Sequence, residues 1–167
     1  CLYYDGLGRL LGKHYRTIDD NCPSSPTYNI SYSYDQGAYG IGRRTGMSDP
    51  SGSSAWSYDR RGRLAQETKI ITGSGTFTTQ YGYNSADGVA WMKYPANNSG
   101  GIGEQVSYSY LPQGSLKNVL GAGPYYYVQR ADYDAAGRTL GRRLGATNLA
   151  NNPALVSGYG YYPWTQQ

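Results

Sequence analysis

A seven-residue phrase recurs three times in this chain and limits what it can fold into: Tyr4-Asp5-Gly6-Leu7-Gly8-Arg9-Leu10, Tyr58-Asp59-Arg60-Arg61-Gly62-Arg63-Leu64 and Tyr133-Asp134-Ala135-Ala136-Gly137-Arg138-Thr139. Each copy reads as a β-hairpin. An aromatic residue ends a strand, Asp takes the first turn position, and Gly three residues later supplies a left-handed backbone. The Asp carboxylate is expected to accept hydrogen bonds from the amides two and three residues on, and Gly takes positive φ without steric cost. Weaker copies stand at Tyr34-Asp35 and Tyr83-Asn84, and at Tyr110-Leu111 the Asp is missing.

Taking the strand-ending tyrosine as a marker, copies fall at Tyr4, Tyr34, Tyr58, Tyr83, Tyr110, Tyr133 and Tyr161, at intervals of 30, 24, 25, 27, 23 and 28 residues. A period of that size fits two strands and two turns per unit. Between the markers apolar and polar residues alternate strictly. Ile30, Tyr32 and Tyr34 face one way and Ser31 and Ser33 the other, and Val106, Tyr108 and Tyr110 alternate with Ser107 and Ser109. Period two over many segments predicts strands. The position two before the marker is aromatic at Tyr32, Trp56, Tyr81, Tyr108 and Tyr159, with Ala131 the exception. With units stacked in register, two ladders of aromatic neighbours are expected along one packed or enclosed face, the other face being wet.

Composition points the same way. In 167 residues there are 20 Tyr and 24 Gly against one Phe, two Met and one His, so a dry helical core has little to be built from. Tyrosine, an apolar body with a polar tip, suits half-wet strand surfaces. The fold class expected is all-β, one array of six to seven antiparallel hairpins over residues 1–167 forming a twisted or spiralling ribbon. About 13 strands at the usual spacing make roughly 60 Å. Breaker-rich stretches, expected as loops, are 21–26, 46–54, 73–75, 96–103, 121–124 and 146–153. No helix with an apolar stripe is expected, and no run of 18 apolar residues offers a membrane span.

The phrase Tyr-Asp-x-x-Gly-Arg-Leu at these intervals resembles the YD-repeat, or RHS-repeat, family of large secreted proteins, which includes bacterial wall-associated proteins, encapsulating components of insecticidal toxin complexes, polymorphic toxins and teneurins. The resemblance covers essentially the whole chain. It implies a ribbon of hairpins spiralling into a hollow shell, and an extracellular or cell-surface location. Family shells use many more repeats and end in a segment that undergoes aspartate-dependent self-cleavage. Asp49-Pro50 resembles part of that motif, but it sits mid-chain among repeats and reads as an ordinary turn, so the activity is not carried over.

The chain opens close to its first Tyr-Asp turn and closes soon after Tyr161, so its two ends read as complementary halves of a repeat. Open strand edges invite pairing. The expected partners are therefore a second copy or a longer chain, met through residues 155–167 and 1–11.

Chemistry is thin. His14 with Asp19 and Asp20 has the residue types of a general base and its orienter, yet a surface histidine beside acids is the commoner case. The repeated Asp5, Asp59 and Asp134 are accounted for by the turns. No enzyme activity, cofactor or metal site is expected, and the Gly-rich stretch at 100–103 lacks the ending of a phosphate loop. Cys1 and Cys22 admit a disulfide in an exported protein, a lipidated N-terminal cysteine or two free thiols. Asn29-Ile30-Ser31 and Asn97-Asn98-Ser99 match the glycosylation acceptor pattern. The net charge of +4, with Arg doublets at Arg43-Arg44, Arg60-Arg61 and Arg142-Arg143, suits a solvated face or acidic groups.

Two functional classes follow. The first is a non-enzymatic structural protein, part of a β-shell or a head-to-tail filament, with the shell of a polymorphic toxin enclosing a cargo as a variant. The second is a carbohydrate-binding module in which Trp91 and Trp164 stack on sugar rings; nucleic acid is not an expected partner.

Overall fold

A computed structural model describes residues 1–15, 21–148, 150 and 152–162. Thirteen strands among them form one open antiparallel sheet in which neighbours follow chain order. They are β1 (Leu2–Tyr4), β2 (Leu10–Lys13), β3 (Ile30–Tyr34), β4 (Arg44–Asp49), β5 (Gly52–Tyr58), β6 (Leu64–Ile71), β7 (Gly75–Tyr83), β8 (Val89–Pro95), β9 (Ile102–Tyr110), β10 (Leu116–Leu120), β11 (Tyr126–Tyr133), β12 (Thr139–Ala146) and β13 (Leu155–Gly158). No helix occurs among the described residues, and none is long and apolar enough to cross a membrane.

The markers end strands as expected at Tyr4, Tyr34, Tyr58, Tyr83, Tyr110 and Tyr133. Tyr161 does not. β13 stops at Gly158, where Gly158 and Gly160 leave little to pack on a ladder. A second departure concerns residues 46–54, expected as a loop. Strands β4 and β5 run into that stretch and leave only Pro50 and Ser51 as the turn, with Asp49 paired to Gly52. Asp at the first position, Pro at the second and Gly at the fourth suit a tight type I turn. Asp49 Oδ1 accepts from the Ser51 amide at 2.8 Å and from its hydroxyl at 2.6 Å.

By compactness the chain divides into two units, Cys1–Gln80 with Pro95–Gly103, and Tyr81–Tyr94 with Glu104–Gln167. In the first unit no described hydrophobic side chain is fully buried; the buried side chains are the polar Thr45 and Thr78. Polar groups face each other directly across β6 and β7: Gln80 donates to Gln66 at 2.9 Å, and the Thr68 and Thr78 hydroxyls lie 3.4 Å apart. In the second unit the buried apolar residues are Val106, Val119, Ala131 and Ala146, and the buried Gln129 donates to the Asn148 carbonyl at 3.1 Å.

The expected split into an enclosed and a wet face is not seen at β3, where every residue is half-buried. Tyrosine rings are large enough to shield the residues beside them, so burial is shared between faces.

Candidate functional site

The recurring phrase is held by a dense set of hydrogen bonds. At its first copy the Asp5 amide donates to the Arg9 carbonyl at 2.9 Å and the Gly8 amide to the Asp5 carbonyl at 3.0 Å. Gly8 closes the turn at φ 75°, and the register of β1 against β2 shifts at Tyr4. The same pair of bonds recurs at Asp59 with Gly62 and Arg63, and at Asp134 with Gly137 and Arg138. It recurs too at Leu111 with Gly114 and Ser115, both bonds 2.8 Å, so the backbone design stands without an acid. At Asn84 the left-handed position is held by Asp87, φ 64°, in place of glycine.

The acid adds a second layer. Asp5 Oδ1 accepts from the Leu7 and Arg9 amides, both at 2.9 Å, and Oδ2 from Arg9 Nε at 2.6 Å. Asp59 does the same with Arg61 and Arg63, and Asp134 with Ala136 and Arg138. The carboxylate therefore caps the amides two and four residues on, not two and three as expected. The intervening glycine amide is already taken by the Asp carbonyl. Asn84 repeats this with Ala86 and Gly88, whereas Asp35, itself at φ 64°, reaches across a longer loop to Gly42 at 2.6 Å.

These contacts hold the carboxylates ionised. The Arg9 and Arg138 amides chiefly lower Asp5 and Asp134 below their ordinary 3.8, the Arg63 side chain does so for Asp59, Arg9 for Asp35 and the Ser51 hydroxyl for Asp49. A carboxylate with a lowered folded-state value contributes stability that is complete above its unfolded value and lost as pH falls through the folded one. Urea midpoints are therefore expected to be level from neutrality down to about pH 5 and to fall between about pH 4 and 2. Replacing Asp5, Asp59 and Asp134 together by Asn should flatten that fall.

The phrase also reaches the next repeat. Arg9 sits over the Tyr34 ring at 4.5 Å, Arg43 over Tyr58 at 5.5 Å and Arg138 over Tyr161 at 4.5 Å. Arg9 further pairs with Asp35 at 2.8 Å. In the other direction five marker hydroxyls donate to the carbonyl opening the preceding return strand: Tyr34 to Leu10, Tyr58 to Arg44, Tyr110 to Val89, Tyr133 to Leu116 and Tyr161 to Thr139, at 2.6 to 3.0 Å. Tyr83 and Leu64 occupy the equivalent positions in their repeats. Marker and arginine thus make a two-way joint between consecutive hairpins.

The expected ladder of aromatic neighbours is accordingly mixed. Marker strands are separated by return strands, which puts the rings of consecutive repeats about 10 Å apart. Arginine fills the gap, as where Arg44 lies 5.7 Å from the Tyr32 ring and 4.8 Å from Trp56.

Cys1 and Cys22 are joined by a disulfide. It fixes the segment after β2 against the first hairpin, where Tyr3 donates to the Pro23 carbonyl at 2.8 Å and Tyr28 packs on the bare Gly12. His14 contacts the Thr27 carbonyl through Nδ1 at 2.8 Å, while Asp19 and Asp20 lie outside the described residues. Trp91 lies against Gly82, where an added Cβ would meet the indole at 2.1 Å, and Lys93 stands 5.3 Å from its ring. Trp164 lies outside the described residues.

The RHS repeat family matches residues 39–76, the stretch that holds the second copy of the phrase and the Arg43 joint. This chain carries an RHS repeat. Among solved structures it is similar to chains of TcdB2-TccC3 with Cdc42 and of TcdB2-TccC3, each at TM-score 0.76 over 99% of this chain, with 14% and 15% identity. A chain of the Photorhabdus luminescens Tc holotoxin pore matches at TM-score 0.67 over 86%. The chain spans 9% of the length of the first two and 8% of the third, and identities this low speak for a shared fold. No curated protein matches the sequence.

Proposed function

We propose that this RHS-repeat chain is a structural wall element, one stretch of an extracellular β-shell or self-assembling sheet that encloses or builds and does no catalysis. The observation that carries the reading is the two-way joint: marker tyrosine hydroxyls bond the preceding return strand, while Arg9, Arg43 and Arg138 cover the tyrosine ring of the repeat that follows. The fold shared with toxin-complex chains over nearly the whole length supports it. The disulfide suits an oxidising, extracytoplasmic setting. The carbohydrate reading fares worse at Trp91, whose indole is spent covering Gly82.

β1 and β13 end the strand order and expose apolar residues: Leu2 is 54% exposed, Leu155 58% and Val156 64%. Such edges pair with further strands, whether of a longer chain or of a second copy. The purified 167-residue chain is therefore expected to sediment as oligomers, and Leu155→Lys with Val156→Lys should return it to monomer with its strand content intact. A wild-type monomer at high concentration, together with a selective glycan-array signal lost in Trp91→Ala, would overturn the reading in favour of a binding module.

A further inference from the structure

The second unit holds a cleft of about 430 Å³ that the repeat architecture does not require. Tyr94, Tyr108 and Tyr127 line it above a floor of Val106 and Val119, and Glu104 stands among them. The valines are 4% and 8% exposed, whereas Tyr94 and Tyr127 are each 43% exposed, so an apolar base opens between accessible ring faces.

Its construction departs from the regular hairpin. The pairing of β10 with β11 passes from Val119↔Val128 to Leu120↔Tyr126, leaving Tyr127 as the unpaired residue of a β-bulge. Bulges re-aim side chains. The Tyr127 hydroxyl donates to both oxygens of Glu104, at 3.0 and 2.8 Å, and the Ala122 amide donates to Oε1 at 2.8 Å. Gly121 makes the approach possible, since a Cβ there would meet the Tyr127 ring at 2.6 Å and the Glu104 carboxylate at 2.7 Å. Tyr125 backs the Tyr127 ring edge-on at 5.3 Å. On the far wall, burial first and the bond to Tyr94 second push the Tyr108 phenol up to about 12, so it stays neutral at any physiological pH.

The carboxylate is thus oriented by two donors, the Tyr127 hydroxyl between its oxygens and the Ala122 amide, and no Lys or Arg among the described residues forms an ion pair with it. Elsewhere in this molecule an arginine meets the Asp of each full phrase, and Arg9 and Arg138 also cover the tyrosine ring that follows. Here three tyrosines and an acid share a cleft whose lining, among the described residues, includes no such cation.

We infer that the Tyr94, Tyr108, Tyr127 and Glu104 cleft binds an organic cation of the quaternary ammonium class, such as a trimethylammonium head group. Ring faces attract cations electrostatically, and a nearby carboxylate adds to the attraction. A methylated ammonium has no N–H that would require acceptors, which suits an apolar floor and a carboxylate whose oxygens already accept. A sugar ring would need several free donors and acceptors, and this lining offers few.

The test is titration of the full chain with choline and with its uncharged isostere 3,3-dimethylbutan-1-ol, followed by calorimetry and by tyrosine ring shifts in NMR. Choline is expected to saturate and to bind about tenfold more tightly than the isostere. Glu104→Gln keeps an acceptor for the Ala122 amide and should weaken choline about tenfold, leaving the isostere unchanged. Tyr127→Leu should abolish binding. Thermal unfolding of each variant checks its fold, and the isostere comparison on the wild-type chain needs no variant. Equal affinity for the two ligands, no saturation by choline, or full affinity in Glu104→Gln overturns the assignment.

Discussion

Replacing Gly52 with alanine is expected to cost roughly 3 to 4 kcal/mol of folding free energy. Gly52 follows the two-residue Pro50-Ser51 turn and pairs with Asp49 on one side and Ile71 on the other, so it belongs to two ladders at once. Its φ is 148°, where side chains are strained, and a Cβ would stand 1.9 Å from the Ile70 carbonyl oxygen. That neighbour is backbone and cannot swing aside. Gly137 is the control: its φ is 79°, yet nothing lies within 4 Å of an added Cβ. Gly137→Ala should cost only about 1 to 2 kcal/mol, the left-handed penalty alone. Urea denaturation of the two variants separates strain from collision, and equal midpoints would mean that the Ile70 contact relaxes freely.

Removal of the Cys1–Cys22 disulfide comes next in size. The bridge spans 21 residues, for which the chain-entropy account gives about 3 kcal/mol. β1 is only three residues long, and beyond its pairing with β2 it depends on what the bridge holds nearby: the Tyr3 bond to Pro23, the Tyr3 and Tyr28 rings 5.5 Å apart, and the Cys1 ammonium on the His14 carbonyl at 2.8 Å. In Cys22→Ser, hydrogen exchange of the β1 amides should accelerate to loop-like rates while β9 and β11 keep their protection. Unchanged β1 protection would show that the aromatic contacts suffice without the bridge.

Much of this architecture is legible in the residues. Strict alternation predicts the strands, and Tyr-Asp-x-x-Gly predicts the turns, because period two and a left-handed glycine are local requirements that local sequence satisfies. What is hidden depends on neighbours. Nothing near Arg9 in the chain says that its guanidinium covers Tyr34, since that pair forms only when two hairpins lie side by side. The mixed ladder follows from the return strand between markers, which the repeat period contains but does not display. Gly52 looks like one more loop breaker until its pairing to β6 shows why no other residue fits. Tyr127 reads as one tyrosine in a run of three at 125–127, and only the register slip turns it toward Glu104. Trp91, which the sequence offers as a sugar-stacking ring, lies against a glycine on the adjacent strand.

If the phrase is a joint between repeats and not merely a turn, Arg138 and Tyr161 are energetically coupled, and a double-mutant cycle measures that coupling directly. Arg138→Met, Tyr161→Leu and the double variant are compared by urea denaturation. A coupling of about 0.5 to 1 kcal/mol is expected from the guanidinium over the ring. Additive single effects would contradict the joint and leave the phrase a hairpin signal alone.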